Sequence, residues 1–347
     1  MTGENMRETV VRMAVAVGIA AVALCGAGAE ARRWTNPVWP TDCADPTFWR
    51  APDGSWRVAS TNQHILRSGD FFHWEKTGRR LFSDEEYARI RASWKSIWAP
   101  DVFKLGDEYL LYVTLYNRLN DNAIAVYSSK DPDGPFADGR ILTRSRDTGI
   151  VDTIDPEAVR DDRNGDLWLF FGSVGKVHRV KLAPDGKSLA PGATYEHMAG
   201  VHRDLDQNPS RSKVFEGTYL HRRGGWWYLF ASRGRYSDHT YAVVVGRART
   251  LDGPFLDREG RPMKSGFATT VLSSDRGDRF FGPGHNGEIA TIDGRDYLPY
   301  HCHVAGENAR PRPLFVQEIF WDDEGWPFCA NGGKPQAECT SPAAIPR

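Results

Sequence analysis

Asn164-Gly165-Asp166-Leu167-Trp168-Leu169-Phe170 and Gly224-Gly225-Trp226-Trp227-Tyr228-Leu229-Phe230 carry one pattern twice, a tight turn followed by an aromatic strand. Looser copies occur at Asp53-Gly54-Ser55-Trp56-Arg57-Val58, Gly106-Asp107-Glu108-Tyr109-Leu110-Leu111-Tyr112 and Asp293-Gly294-Arg295-Asp296-Tyr297-Leu298. Gly and Asp tolerate the backbone angles of a reversal, and the aromatic run that follows suits a pleated, buried strand. Copies recurring every roughly 55 to 70 residues predict a radial array, so the expected fold is all-β, a five-bladed β-propeller in a single domain. Upstream of each copy lies one charged or imidazole side chain: Asp45, Asp101, Asp155, Glu216 and His285. A radial array brings such positions to a common axis, where residues far apart in sequence share one site.

Between the aromatic strands run alternating segments, Asn122 to Ser129 and Thr240 to Gly246, each followed by the same turn, Asp133-Gly134-Pro135-Phe136 and Asp252-Gly253-Pro254-Phe255. Looser equivalents are His64 to Ser68, Val177 to Leu182 and Leu314 to Trp321. Four-stranded blades are the economical packing of these pieces. The one helical candidate is Asp84 to Arg91, and most of the twelve tryptophans read as filler between stacked sheets.

A formal net charge of -1, with basic and acidic residues interspersed, excludes the footprint of a nucleic-acid binder and favours a neutral or weakly charged small partner. Residues 1–29 combine Arg7 and Arg12, an apolar run from Met13 to Leu24 and Ala27-Gly28-Ala29. That is the layout of a secretory signal peptide, too short for a membrane span. Leu24 fits poorly ahead of a lipidated Cys25. The expectation is a secreted or periplasmic monomer, with residues 30–347 forming the propeller and a Cys-containing tail. In an oxidising compartment Cys43, Cys302, Cys329 and Cys339 permit two disulfides, with Cys329 to Cys339 favoured as a tail staple and Cys43 to Cys302 as a second pair if the end blades meet.

Ala44-Asp45-Pro46, Trp98-Ala99-Pro100-Asp101, Ile154-Asp155-Pro156, Phe215-Glu216-Gly217-Thr218-Tyr219 and Gly282-Pro283-Gly284-His285-Asn286 occur in that order, each opening a repeat. Together they resemble glycoside hydrolase family 43, the five-bladed propellers of arabinanases, β-xylosidases and arabinofuranosidases, over essentially the whole mature chain. The resemblance implies an inverting hydrolase, with Asp45 as general base, Glu216 as general acid and Asp155 as the carboxylate that raises the acid's pKa and orients it. Inversion implies a base-to-acid gap of about 6.5 to 9.5 Å, room for the attacking water.

Each residue also has a plainer reading. Asp before Pro is a common turn opener, which would account for Asp45 and Asp155. Glu216, set between Phe215 and Gly217, resists that explanation. Asp101 lies in the equivalent place of its repeat and is expected to bond backbone at the strand start. Trp98 resembles the aromatic that borders the sugar site in arabinanases, and packing alone is the alternative. The resemblance makes His285 a contact for a calcium ion, against a buried structural histidine. His301 and His303 share a strand face, yet no third ligand at a recognisable spacing supports zinc. Tyr300-His301 resembles the Tyr-His pair of arabinanases.

Within the family the motifs look most like endo-α-1,5-L-arabinanases acting on plant cell-wall arabinan or arabinoxylan. An exo-acting α-L-arabinofuranosidase or β-xylosidase is the alternative, and a non-catalytic carbohydrate-binding propeller is the reading from another class.

Overall fold

The computed structural model describes residues 31–118, 121–173, 176–201, 215–306 and 311–341. The expected signal segment and Cys25 lie outside them. Four antiparallel blades have four strands each, in simple sequential order: 47–50, 56–59, 64–68 and 75–80; 96–105, 108–116, 123–129 and 137–144; 157–160, 167–171, 177–181 and 196–199; 215–223, 226–233, 242–248 and 269–272. The fifth blade uses 280–284, 295–304, 314–321 and 327–329, with 290–292 beside the second of these. Each turn-plus-aromatic copy forms the hairpin into a blade's second strand, as the sequence predicts.

The second strands are buried along nearly their whole length, as in Leu110 to Val113 and Leu229 to Ala231, because each blade is covered on both faces. Five apolar clusters fill the spaces between neighbouring blades. Trp49, Tyr109 and Phe136 lie between the first and second, and Phe170, Trp227 and Phe255 between the third and fourth. Burying one such aromatic contributes about 2 to 3 kcal/mol, so the layers between blades hold the ring together. The helix over Asp84–Ser93 is capped by Ser83, whose hydroxyl accepts from the Glu86 N–H.

The chain ends close the ring. Arg32–Thr35 pairs with Glu338–Ser341, and the Asn36 amide donates to the Val316 carbonyl while its oxygen accepts the Val316 N–H. The expected disulfides are absent: all four cysteines are free, buried thiols. Cys302 and Cys329 pack between the fourth and fifth blades, whereas Cys43 and Cys339 pack between the fifth and first. Each expected pair is therefore divided between two packing layers. Burial raises the Cys43, Cys329 and Cys339 thiols to about 12.

Candidate active site

Near the axis every blade carries a left-handed residue before, within or just after its first strand: Asp45 (φ 58°), Ala99 (φ 38°), Asp155 (φ 56°), Gly217 (φ 54°) and His285 (φ 45°). Pro46, Pro100 and Pro156 follow three of them and cannot donate to the sheet ladder, so pairing breaks there. In the second blade the register shifts between Trp98 and Asp101, and in the fourth between Glu216 and Tyr219.

Neighbouring blades are joined at these positions. The Ala99 N–H donates to Thr61 Oγ1 (3.0 Å), the Asp155 N–H to Thr114 Oγ1 (3.0 Å) and the His285 N–H to Ser232 Oγ (2.7 Å). At the seam between fifth and first blades His301 Nδ1 replaces the hydroxyl and accepts the Asp45 N–H at 3.2 Å. The fourth blade differs. Ser173 spends its hydroxyl on Glu216 Oε2 (2.6 Å), and the Gly217 N–H goes to Asp155 Oδ2 (3.2 Å). That exchange ties Glu216 and Asp155 into one unit.

This ladder corrects the reading of Asp101. Its blade's counterpart of Asp45 is Ala99, while Asp101 stands two residues further on, level with Thr47 and Glu157. Those residues build a second tier. Thr47 Oγ1 accepts the Val102 N–H (3.0 Å), Asp101 Oδ2 the Ala158 N–H (2.8 Å) and Glu157 Oε1 the Leu220 N–H (2.5 Å). Asp101 does bond backbone, as expected, but that of the next blade.

Asp45, Asp155, Glu216 and His285 are brought together. Asp45 is 8% exposed; its Oδ2 accepts from Thr61 Oγ1 (2.7 Å) and its Oδ1 from Arg312 Nη1 (2.9 Å). His285 Nδ1 lies 3.2 Å from Oδ1. Burial opposes ionisation of Asp45, but the Arg312 guanidinium, aided by the two imidazoles and the Thr61 hydroxyl, holds its carboxyl well below the usual range. Asp155 moves the opposite way. Burial, then the charges of Glu216 and Asp45, push it well above the usual range, so it keeps a proton that ordinary carboxylates have lost.

Both oxygens of Glu216 are fixed, Oε2 by Ser173 and Oε1 by the Tyr241 hydroxyl at 2.7 Å. Burial and the Glu216 charge raise Tyr241 well above an ordinary phenol, so it stays protonated. Gly284 lets Tyr241 reach that far: a Cβ on Gly284 would lie 2.1 Å from Tyr241 Cε1. Burial keeps His285 and His301 below the usual imidazole range, His301 well below it. Trp98 is half-buried and stacks on Tyr116 at 3.8 Å between ring centroids, next to Ala99 and so beside Thr61 and Asp45.

Beneath the carboxylates a cavity of about 530 Å³ follows the axis, lined by Asp101, Glu157, Glu288, Asn286 and His285 among others. Burial lifts Asp101 and Glu288 to about 7 and Glu157 well above its ordinary value. Among the described residues no group of three His, Cys, Asp or Glu side chains is placed to chelate a metal. His303 Nε2 instead bonds the Tyr236 carbonyl at 2.8 Å.

Arg312, Tyr241, Ser173 and Thr61 escaped the sequence reading. The hydroxyls had a legible signal, since Thr61, Thr114, Ser173 and Ser232 all lie within two residues of the C-terminal ends of their blades' second strands. Arg312 has no counterpart in the other repeats.

A propeller axis ending in three carboxyl groups, one held ionised by an arginine and one retaining a proton beside a third, defines an acid–base hydrolase of glycosidic bonds. The family model for glycosyl hydrolases family 43 matches residues 34–327, and the chain belongs to that family. It is 33% identical over 305 residues to an extracellular exo-α-(1→5)-L-arabinofuranosidase of Cellvibrio japonicus, covering 82% of this chain and 86% of the relative. An extracellular endo-α-(1→5)-L-arabinanase of Bacillus subtilis is 27% identical over 320 residues, covering 87% and 91%. The structure of a Cellvibrio cellulosa α-L-arabinanase complexed with arabinohexaose superposes with a TM-score of 0.72 at 29% identity, covering 85% of this chain and 99% of that one.

Proposed function

We propose that this protein hydrolyses α-1,5-linked L-arabinan with inversion, Asp45 acting as general base and Glu216 as general acid. The observation that carries the reading is the opposite bias of two buried carboxyl groups, Asp45 held ionised by Arg312 and Asp155 holding a proton beside Glu216. Asp45 takes a proton from water as its oxygen attacks the anomeric carbon. The glycosidic C–O bond breaks, and Glu216, in its protonated form, delivers its proton to the leaving oxygen; after the products leave, Glu216 takes up a proton from solvent and Asp45 releases one to it. Ser173 and Tyr241 hold Glu216 in line, and their hydroxyls can rotate from donor to acceptor as its proton comes and goes. Trp98 offers an apolar ring face to the pentose at the rim.

The endo mode follows from the motif resemblance, and the exo alternative gains weight from the 33%-identical exo-acting relative. Product profiles on debranched arabinan against xylan decide. A ladder of arabino-oligosaccharides supports endo action and arabinose alone exo action; binding without product would leave only a carbohydrate-binding propeller.

Glu157 Oε2 and Asn286 Oδ1 are buried without a partner among the described residues, facing a channel lined by further carboxyl groups. Those orphaned oxygens fit a cation carrying its own water shell, with His285 as the side chain that would hold it; a bare ion caged by protein does not fit. Calcium there would supply positive charge beneath the carboxylates. Metal analysis of the purified protein tests this, and full activity in metal-free protein refutes it.

The exo-acting and endo-acting relatives of Cellvibrio japonicus and Bacillus subtilis are extracellular, and no helix among the described residues is long and apolar enough to cross a membrane. Export directed by residues 1–29 completes the reading. N-terminal sequencing of the secreted form tests it, and an intact Met1 would contradict it.

A further inference from the structure

Arg312 is tied to the ring at three points. Its N–H donates to Asp42 Oδ1 (2.9 Å), its carbonyl accepts the Cys43 N–H (3.0 Å), and its guanidinium reaches Asp45 through Nη1 to Oδ1 (2.9 Å) and Nη2 to Oδ2 (3.4 Å). The first two bonds are made by the Arg312 backbone, to the Asp42 side chain and the Cys43 N–H, across the seam where the fifth blade meets the first. They place the side chain without depending on it. Tyr236 backs the guanidinium at 5.1 Å.

Both oxygens of Asp45 are engaged. Oδ1 accepts from Arg312 Nη1, with His285 Nδ1 3.2 Å away, and Oδ2 accepts from Thr61 at 2.7 Å and from Arg312 Nη2 at 3.4 Å. The guanidinium fork spans both oxygens, and two N–H groups of a rigid plane fix the rotation of the carboxylate.

We propose that Arg312 is a positioning residue for hydrolysis, fixing the rotation of the Asp45 carboxylate so that it meets the attacking water in line. This rests on the reading of Asp45 as the base. It predicts an effect on turnover rather than on sugar binding, since a misaligned base costs rate whichever substrate occupies the site. A lysine would keep the charge and lose the fork, so Arg312→Lys fails to restore the geometry.

The test compares Arg312→Ala, Arg312→Lys and Asp45→Asn on linear arabinan and on an aryl α-L-arabinofuranoside. Arg312→Ala is expected to lose about 100-fold in kcat on both substrates, with KM within about threefold. Guanidinium chloride at millimolar concentration is expected to restore at least about tenfold of the loss in Arg312→Ala and nothing in Asp45→Asn. Arg312→Lys keeps the fold and at most about a tenth of wild-type kcat. A raised KM at unchanged kcat, a folded Arg312→Ala that guanidinium does not rescue, or a fully active Arg312→Lys would each overturn the proposal. Activity surviving in Asp45→Asn would refute the reading of the base itself, a separate outcome.

Discussion

Gly217→Ala probes the geometry on which the site depends. Gly217 has φ +54°, and a Cβ there would lie 2.9 Å from His285 Cγ and 3.0 Å from Nδ1. Ordinary carbon contacts begin near 3.5 Å, so the imidazole must retreat by roughly half an ångström. His285 cannot retreat freely, because its N–H is anchored to Ser232 at 2.7 Å and its Nδ1 lies 3.2 Å from Asp45. The left-handed backbone adds about 1 kcal/mol for a residue with a Cβ. Together with overpacking, the expected loss is about 2 to 4 kcal/mol of stability. Displacing His285 disturbs Asp45, for which about a tenfold to 100-fold fall in kcat is expected. Gly224→Ala is the internal control: its φ is also +54°, but a Cβ there meets nothing within 4 Å. It should lose only about 1 kcal/mol and keep full turnover. Denaturant unfolding and arabinan hydrolysis measured on both variants separate the contributions. Equal behaviour of the two would refute the claim that contact with His285, rather than backbone strain, makes glycine necessary.

Two further predictions concern the channel and the rim. The folded state binds a proton on Asp101 up to about pH 7, whereas the unfolded chain releases it near pH 4, so this group's contribution to stability falls as pH rises between those values. Asp101→Asn can still accept the Ala158 N–H, and it should flatten that slope and gain about 1 to 2 kcal/mol on wild type above pH 7, discounted because Asp101 opens onto the channel. Urea unfolding at pH 5 and pH 8 checks this, and parallel curves would contradict it. Trp98→Ala should raise KM about tenfold with kcat little changed, as loss of a stacking face predicts; an unchanged KM would return Trp98 to packing against Tyr116.

The blades were legible because each second strand repeats the same physical need, a turn and then side chains buried on both faces. Glu216 and the two Asp-Pro pairs were legible because a repeat marks its own odd members. Asp101 was misplaced by two residues, because Ala99 carries no chemistry and the nearest charge in the repeat lies two positions on. Which peptide is left-handed depends on where the ladder breaks, and that is a property of pairing between strands. The cysteines misled for a similar reason, since spacing in sequence says nothing of which interblade layer each one enters. Arg312 was invisible because its partner, Asp45, lies on the opposite end of the chain and meets it only when the ring closes.

Leaving-group dependence in Glu216→Gln and Asp45→Asn tests the division of labour most directly. A general acid matters when the leaving oxygen needs a proton, so Glu216→Gln should lose about 100-fold to 10,000-fold on arabinan. It should lose far less on an aryl arabinofuranoside whose phenolate departs unaided. A general base is needed for either substrate, so Asp45→Asn should fall equally on both. Equal losses on the two substrates for Glu216→Gln, with the fold intact, would contradict Glu216 as the proton donor.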